Sequence, residues 1–181
     1  MPDAYERLLV PMLFQAYARD LTRRAADLAP QRVLELAAGT GVVTRELTRT
    51  LDAEIIATDL SDAMLELGRA NAPHATWRAA DALDLPFDDS TFDIVVCEFG
   101  VMFFPDRPRA FREARRVLRP NGTLLFNTWG TVEENLFADA VQAGLDRAVG
   151  ERLPFLGVPY GYNDLATIES DVRAGGFDHV S

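Results

Sequence analysis

The segment Val33–Gly41, VLELAAGTG, joins a short apolar run to a glycine turn. A buried strand that feeds a helix through a tight loop has this form, and the loop can bind a ligand at its free N–H groups. Gly39 and Gly41 allow the sharp turn and a close backbone approach. A dinucleotide fingerprint, G-x-G-x-x-G, would need a third glycine, but that position is Thr44. No G-x-x-x-x-G-K-[ST] phosphate loop is present either. The turn therefore points away from a pyrophosphate and toward an adenosine ligand that carries a carboxylate.

Outward from this turn the chain alternates strands and helices. Residues 3–29 read as helical, with Pro11 starting a second helix and Leu13, Ala16, Tyr17, Leu21 and Leu28 forming its apolar stripe. Strands are expected at 32–36, 54–58, 75–79, 92–97 and 123–129. Helices are expected at 42–51, 61–71 (capped by Ser61) and 109–118, the last stopped by Pro120 and Gly122. The run at 92–97 is almost wholly apolar, as in a strand covered on both faces. This rhythm predicts an α/β sandwich with a mostly parallel sheet and helices on both faces. Beyond it, a helix over 133–149, an aromatic loop over 153–162 and a helix capped by Asn163 and running to Ala174 are expected. A sixth strand would start in FDHVS, residues 177–181. The organisation expected is a helical cap (1–30), a cofactor-binding core (31–130), a lid over the substrate (131–162) and a terminal piece (163–181).

Ligands of open parallel sheets lie beyond the carboxyl ends of the strands. Asp59, twenty residues after Gly39, ends the second strand and is placed for ribose hydroxyls. Asp81, after the third strand, could accept from an exocyclic amine. Glu98, after the fourth, is the acid placed nearest a reaction centre and a candidate general base. Trp129, Phe137, Phe155, Tyr160 and Tyr162 could line an apolar acceptor site.

Bulk properties narrow the partners. The 181 residues suggest one domain, and the formal charge of −10 argues against a nucleic-acid backbone. The single cysteine, Cys97, sits in an apolar run and reads as a buried hydrophobe. His74 and His179 form no ligand cluster, so no metal is expected. No run reaches the ~18 apolar residues of a membrane span, and no signal segment opens the chain, which fits a cytoplasmic protein. A homodimer is compatible with these features.

Four stretches, VLELAAGTG, IIATDLSDAML, RAADALDLPFDDSTFDIVVCEFGVMFFPD and REARRVLRPNGTLLFNTW, stand in one order over roughly half the chain. Together they resemble class I S-adenosylmethionine-dependent methyltransferases of the small-molecule type that includes the quinone-biosynthesis C-methyltransferases. The resemblance implies a Rossmann-like core and S-adenosylmethionine as cofactor, with S-adenosylhomocysteine as product. Glu35 would support the methionine end, beside the turn of Ala37, Gly39 and Gly41. Asp59 would hold both ribose hydroxyls, Leu60 and Met64 would pack on the adenine, and Asp81 and Ala82 would meet its amine and ring. Glu98 and Phe99 would border the methyl group, with Tyr5, Phe14 and Tyr17 as a roof and Trp129, Phe155 and Tyr160 at the acceptor.

Two positions depart from the family pattern. Ala37 stands where glycine is usual. The family sheet has seven strands, of which this chain supplies at most the start of the sixth. The reading that follows is methyl transfer by in-line displacement to a small, partly apolar organic acceptor. A non-catalytic module that binds the adenosyl cofactor, and an NAD-dependent oxidoreductase, remain as alternatives. The oxidoreductase lacks both the third glycine and any Tyr-x-x-x-Lys pair, since the chain contains no lysine.

Overall fold

A computed structural model describes residues 5–151 and 157–181, with Tyr5 described in its backbone only. Phe155 and the Tyr5 side chain, both expected near the site, lie outside the described residues. The chain begins with a π-helical segment, Tyr5–Phe14, that runs directly into helix α1, Gln15–Ala26. Then follow β1 (Arg32–Glu35), α2 (Val42–Thr50), β2 (Glu54–Asp59), α3 (Asp62–Asn71), β3 (Thr76–Ala79), β4 (Phe92–Glu98) and a 3-10 turn (Val101–Phe103). After these come α4 (Arg107–Val117), β5 (Leu118–Asn127), α5 (Leu136–Val149) and α6 (Leu165–Ala174).

All five strands pair in parallel, in the order β3-β2-β1-β4-β5. Strand order reverses between β1 and β4, so a crevice opens there at the carboxyl ends. Alternate residues of the central strands serve two cores. Leu34, Ile56, Val95 and Cys97 join α4 and α6 on one face. Val33, Ile55, Ile94 and Val96 join α1 and α2 on the other. Burial pushes the Cys97 thiol up to about 12, so it stays protonated and acts as a small apolar side chain.

Several expected boundaries moved for local reasons. Pro11 does not start a helix; it lies within the π-helical segment. Proline lacks an N–H and its ring crowds the carbonyl four residues back, and the wider π turn accommodates both. The buried stripe of α1 is Ala18, Leu21, Thr22 and Ala25, whereas Ala16, Tyr17 and Leu28 are exposed. Two alanines on that stripe let α1 lie close against α2. Asp164, not Asn163, caps α6, accepting from the Thr167 N–H at 2.9 Å. The Asn163 amide instead closes the preceding loop by donating to the Tyr160 carbonyl. Helix α5 starts at Leu136, not at 133, because Thr131, Glu134 and Asn135 first form their own hydrogen-bonded turn. Strand β5 begins at Leu118, paired with Phe92, and the pairing resumes at Thr123 with Ile94; residues 119–122 bulge between them. No strand forms over 177–181. Gly176, at φ +92, turns the chain out of α6 and the Arg173 guanidinium holds the Asp178 carbonyl.

The edge of the sheet is fixed by Trp77. Its indole N–H donates to the Ala72 carbonyl at 3.0 Å, which holds the ring over Gly68 of α3. A Cβ at Gly68 would lie 2.3 Å from the ring. Alanine improves helix propensity by up to ~1 kcal/mol, but overpacking against an anchored indole costs ~1–3 kcal/mol. Gly68→Ala should therefore lower stability by urea unfolding, and the loss should shrink in a Trp77→Phe background.

Candidate functional site

The site is assembled from the residues that end or follow β1, β2 and β4. At the end of β1, Glu35 is 2% exposed, and the Thr44 hydroxyl donates to its Oε2 at 2.6 Å. Thr44 occupies the third position of α2, so the residue that replaces the third glycine has a structural use. Burial, with the Asp59 charge adding to it, pushes the Glu35 carboxyl up to about 8 against the opposing bond from Thr44. At the end of β4, Glu98 is pushed up to about 9, by burial first and then by Glu35. Its Oε1 is buried with no hydrogen-bond partner among the described residues. Both carboxyls line one small cavity of about 30 Å³, together with Phe14, Ala37, Ala38, Gly39, Thr40 and Val42.

The glycine turn closes this cavity from below. Gly39 and Gly41 have φ of +56 and +87. Ala37 also adopts the left-handed region, at φ +51, as does Phe99, at φ +49. Glycine takes this conformation freely, whereas other residues pay ~1–2 kcal/mol for it. The Ala37 methyl therefore does more than limit approach, since it strains the turn. A Cβ at Gly39 would meet nothing within 4 Å, so this side of the loop is open. The start of α2 carries no side-chain cap, so no side chain takes up its first N–H groups.

Asp59 ties the second strand to this loop. Its Oδ2 accepts from the Gly39 N–H and its Oδ1 from the Ser61 N–H, both at 2.8 Å. Each oxygen keeps a lone pair for a hydroxyl. Leu60, next in the chain, is 73% exposed, and Met64 is partly buried one turn along α3. Asp81 is exposed and one oxygen accepts from the Leu83 N–H at 2.9 Å, while Ala82 is buried behind it. The structure thus brings Glu35, Ala37, Gly39, Gly41 and Glu98 around one cavity or its loop, with Asp59 bonded to that loop. Asp81, Leu60 and Met64 stand along the sheet toward β3.

An aromatic cluster covers the same strand ends on the β4–β5 side. Phe99 stacks on Trp129 at 3.8 Å with the rings 6° apart. Phe14 and Tyr17 meet both rings edge-on, and Tyr160 packs against Trp129. Tyr162 leaves this group: its hydroxyl donates to Asp171 at 2.9 Å and its ring lies under the Arg107 guanidinium. Phe137 is exposed on α5. Sequence reading also missed Glu6. It accepts from the Thr40 hydroxyl and pairs with Arg45 at 2.9 Å, fastening the π-helical segment across the glycine turn. No spacing rule links a residue 34 positions upstream to that loop, so only the fold reveals it.

A larger cavity, of about 280 Å³, lies at the opposite, amino ends of the strands. Its acid, Asp93, is fully engaged. Burial would raise its carboxyl, but the Arg32 and Gln31 N–H groups and the Arg119 guanidinium together hold it below the usual range. Nothing there awaits a ligand. Among the described residues no cluster of three or more His, Cys, Asp or Glu could hold a metal, and no helix is long and apolar enough to cross a membrane.

A doubly wound parallel sheet with an acid, a glycine turn and a second acid at its switch point defines the Rossmann-like class of nucleoside-cofactor folds. Residues 34–126 match the family described as a methyltransferase domain. A demethylmenaquinone methyltransferase of Mycobacterium tuberculosis is 42% identical over 134 residues, 74% of this chain and 56% of that protein. One from Clavibacter sepedonicus is 34% identical over 173 residues, 88% of this chain and 70% of that protein. The S-adenosylmethionine-bound structure of an aminopentose methyltransferase from Micromonospora echinaspora superposes with a TM-score of 0.58. It is 26% identical, over 66% of this chain and 52% of that one. The chain belongs to the class I S-adenosylmethionine-dependent methyltransferases. It spans just over half the length of the mycobacterial relative.

The raised carboxyls set a pH dependence. Between about 4.5 and about 8 the folded chain keeps a proton on Glu35 that the unfolded chain has released. Stability therefore falls as pH rises through this window, by on the order of a few kcal/mol. Glu35→Gln keeps an acceptor for Thr44 but cannot ionise. Its melting temperature should match that of the parent near pH 4.5 and exceed it by several degrees near pH 8.

Proposed function

We propose that this chain binds S-adenosylmethionine at the β1–β4 switch point and moves its methyl group to a small, partly apolar organic acceptor. The observation that carries this reading is the pair of buried carboxyls, Glu35 and Glu98, facing one cavity beside an open glycine turn. Two acids buried together repel each other and resist ionisation unless a cation joins them. A ligand with an ammonium and a sulfonium suits that environment. A pyrophosphate, which is anionic, does not.

The residues present fit this cofactor in detail. Glu35 and Glu98 would hold its cationic end and the uncapped start of α2 its carboxylate, while the open face of Gly39 lets the cofactor lie close against the turn. Asp59 would take the ribose hydroxyls. Leu60, Met64, Asp81 and Ala82 would hold the adenine. When bound, S-adenosylmethionine supplies a methyl group already activated by its sulfonium. The chain's own task is then to position the acceptor and exclude water. Phe14, Tyr17, Phe99, Trp129 and Tyr160 form the apolar wall for that purpose. A cavity of about 30 Å³ has room for roughly one water, so the π-helical segment fastened by Glu6 must move aside for entry. On this reading residues 1–30 act as a cap and 131–162 as a lid. The relatives' names supply the acceptor class, a molecule like demethylmenaquinone.

For an acceptor that must lose a proton, Glu98 would serve as the general base. Its raised affinity for a proton suits that role, and it works only when ionised. The limb of kcat/KM should therefore rise with pH toward about 9, that of kcat at saturating cofactor should lie lower, and both should vanish in Glu98→Gln. An acceptor without a labile proton would show no such limb. Asp59→Ala should weaken cofactor affinity about tenfold or more in calorimetry; affinity equal to that of the parent would refute the ribose role. Wild-type calorimetry near pH 7 should also show proton release on cofactor binding, because a bound cation stabilises the ionised acids. Tight binding with no transfer across an acceptor panel would favour a non-catalytic cofactor-binding module.

A further inference from the structure

Four side-chain polar atoms are buried without a hydrogen-bond partner among the described residues, and two of them are the Glu98 Oε1 and the Asn127 Oδ1. Buried polar atoms are almost always paired, so each exception asks for an explanation. These two are not independent. Glu98 and Asn127 are register partners on β4 and β5, and each is the last residue of its strand. Neighbouring strands stand ~4.8 Å apart, and register partners project from the same face. That face carries Val96 and Leu125 two residues earlier and is the one covered by α1 and α2. Two orphaned acceptors thus sit side by side at the ends of adjacent strands. Beyond them the chain continues into Phe99 and Trp129, which stack on each other.

We propose that Asn127, together with Glu98, forms a paired hydrogen-bond-accepting step in the acceptor site, selecting a molecule that carries an O–H or N–H donor on an aromatic body. This rests on the methyltransferase reading and adds to it a specificity residue. A donor placed between the two strand ends can give its proton to Glu98 once the cation of the bound cofactor has ionised that carboxyl. Asn127 cannot ionise, so it holds the same group or its neighbour by a neutral hydrogen bond. An acceptor molecule without a donor would leave the Asn127 oxygen as unpaired as it is in the free chain and so forgo the hydrogen bond. Discrimination is the consequence, and the aromatic wall supplies affinity that does not depend on the donor.

The test uses the full chain and two probes, 2-naphthol and 2-methoxynaphthalene, which differ in one O–H donor. Binding is measured by equilibrium dialysis with and without saturating S-adenosylhomocysteine. Wild type should bind 2-naphthol about tenfold more tightly than its methyl ether, as one hydrogen bond predicts. Asn127→Leu, close in size and apolar, should reduce that ratio severalfold through weaker naphthol binding. It should leave S-adenosylhomocysteine affinity and the melting temperature unchanged, or raise the latter, because a buried oxygen without a partner stabilises nothing. The proposal is overturned if Asn127→Leu keeps the wild-type ratio. It is equally overturned if neither probe binds wild type, or if the variant melts several degrees lower, as loss of a structural hydrogen bond would require. Failure of wild type to bind S-adenosylhomocysteine would instead remove the methyltransferase reading, and the probe ratio without cofactor would still report on Asn127.

Discussion

The reversal of strand order between β1 and β4 is the constraint on which the site depends. It places the ends of two adjacent strands at a crevice, and the sequence puts an acid at each end, Glu35 and Glu98. Register makes them project from the same face as Val33 and Val96, into the layer under α1 and α2. Two carboxyls in that layer cannot both be charged at low cost. The chain meets this by leaving them largely protonated and by giving Glu35 the Thr44 hydroxyl. Glu98 receives nothing comparable at Oε1. Protonation relieves the electrostatic penalty in the chain as it stands, and ionising either acid there would call for a cation beside it.

Closure of the crevice uses different chemistry on its two sides. Over the glycine turn the contacts are polar, with Glu6 reaching Thr40 and Arg45, and Gln15 reaching Glu46 at 2.8 Å. Only the Glu6–Arg45 contact is an ion pair, with side chains 24% and 27% exposed, and the other two are part-buried hydrogen bonds to a carboxylate. Over β4 and β5 the contacts are aromatic, from Phe14 and Tyr17 onto Phe99 and Trp129. Aromatic pairs contribute ~0.5–1.5 kcal/mol each beyond their burial.

Much of this was legible in the sequence because it rests on local chemistry. The apolar run at Phe92–Glu98, the Ser61 cap and the Gly39–Asp59 spacing each state their role within a few residues of the turn they serve. The Gly39 N–H bond to Asp59 shows why that spacing matters: it fastens the end of β2 to the β1 loop. What sequence could not show was set by tertiary packing. The stripe of α1 was misplaced because small residues, Ala18 and Ala25, rather than the large Tyr17 and Leu28, face the sheet. The last helix was capped one residue late because both Asn163 and Asp164 are competent, and the loop took the first. The pairing of Glu98 with Asn127 depends on strand order and a bulge at residues 119–122, neither of which leaves a local mark.

The backbone strain at the site follows the same geometry. Ala37 and Phe99 are non-glycine residues in the left-handed region, and they occupy matching places just past β1 and β4. Each turns the chain away from the sheet within two residues of the acid that ends its strand. Between them lies Gly100, where a Cβ would stand 2.7 Å from both the Ala37 Cβ and the Cys97 sulfur. The methyl group of Ala37 is therefore accommodated because position 100 has none. Strain of this kind persists only where surrounding contacts over-determine the backbone, and here the stacked Phe99–Trp129 pair supplies them. The departure from a glycine at 37 is thus compensated within the fold, and it leaves the open side of Gly39, where a ligand would approach, undisturbed.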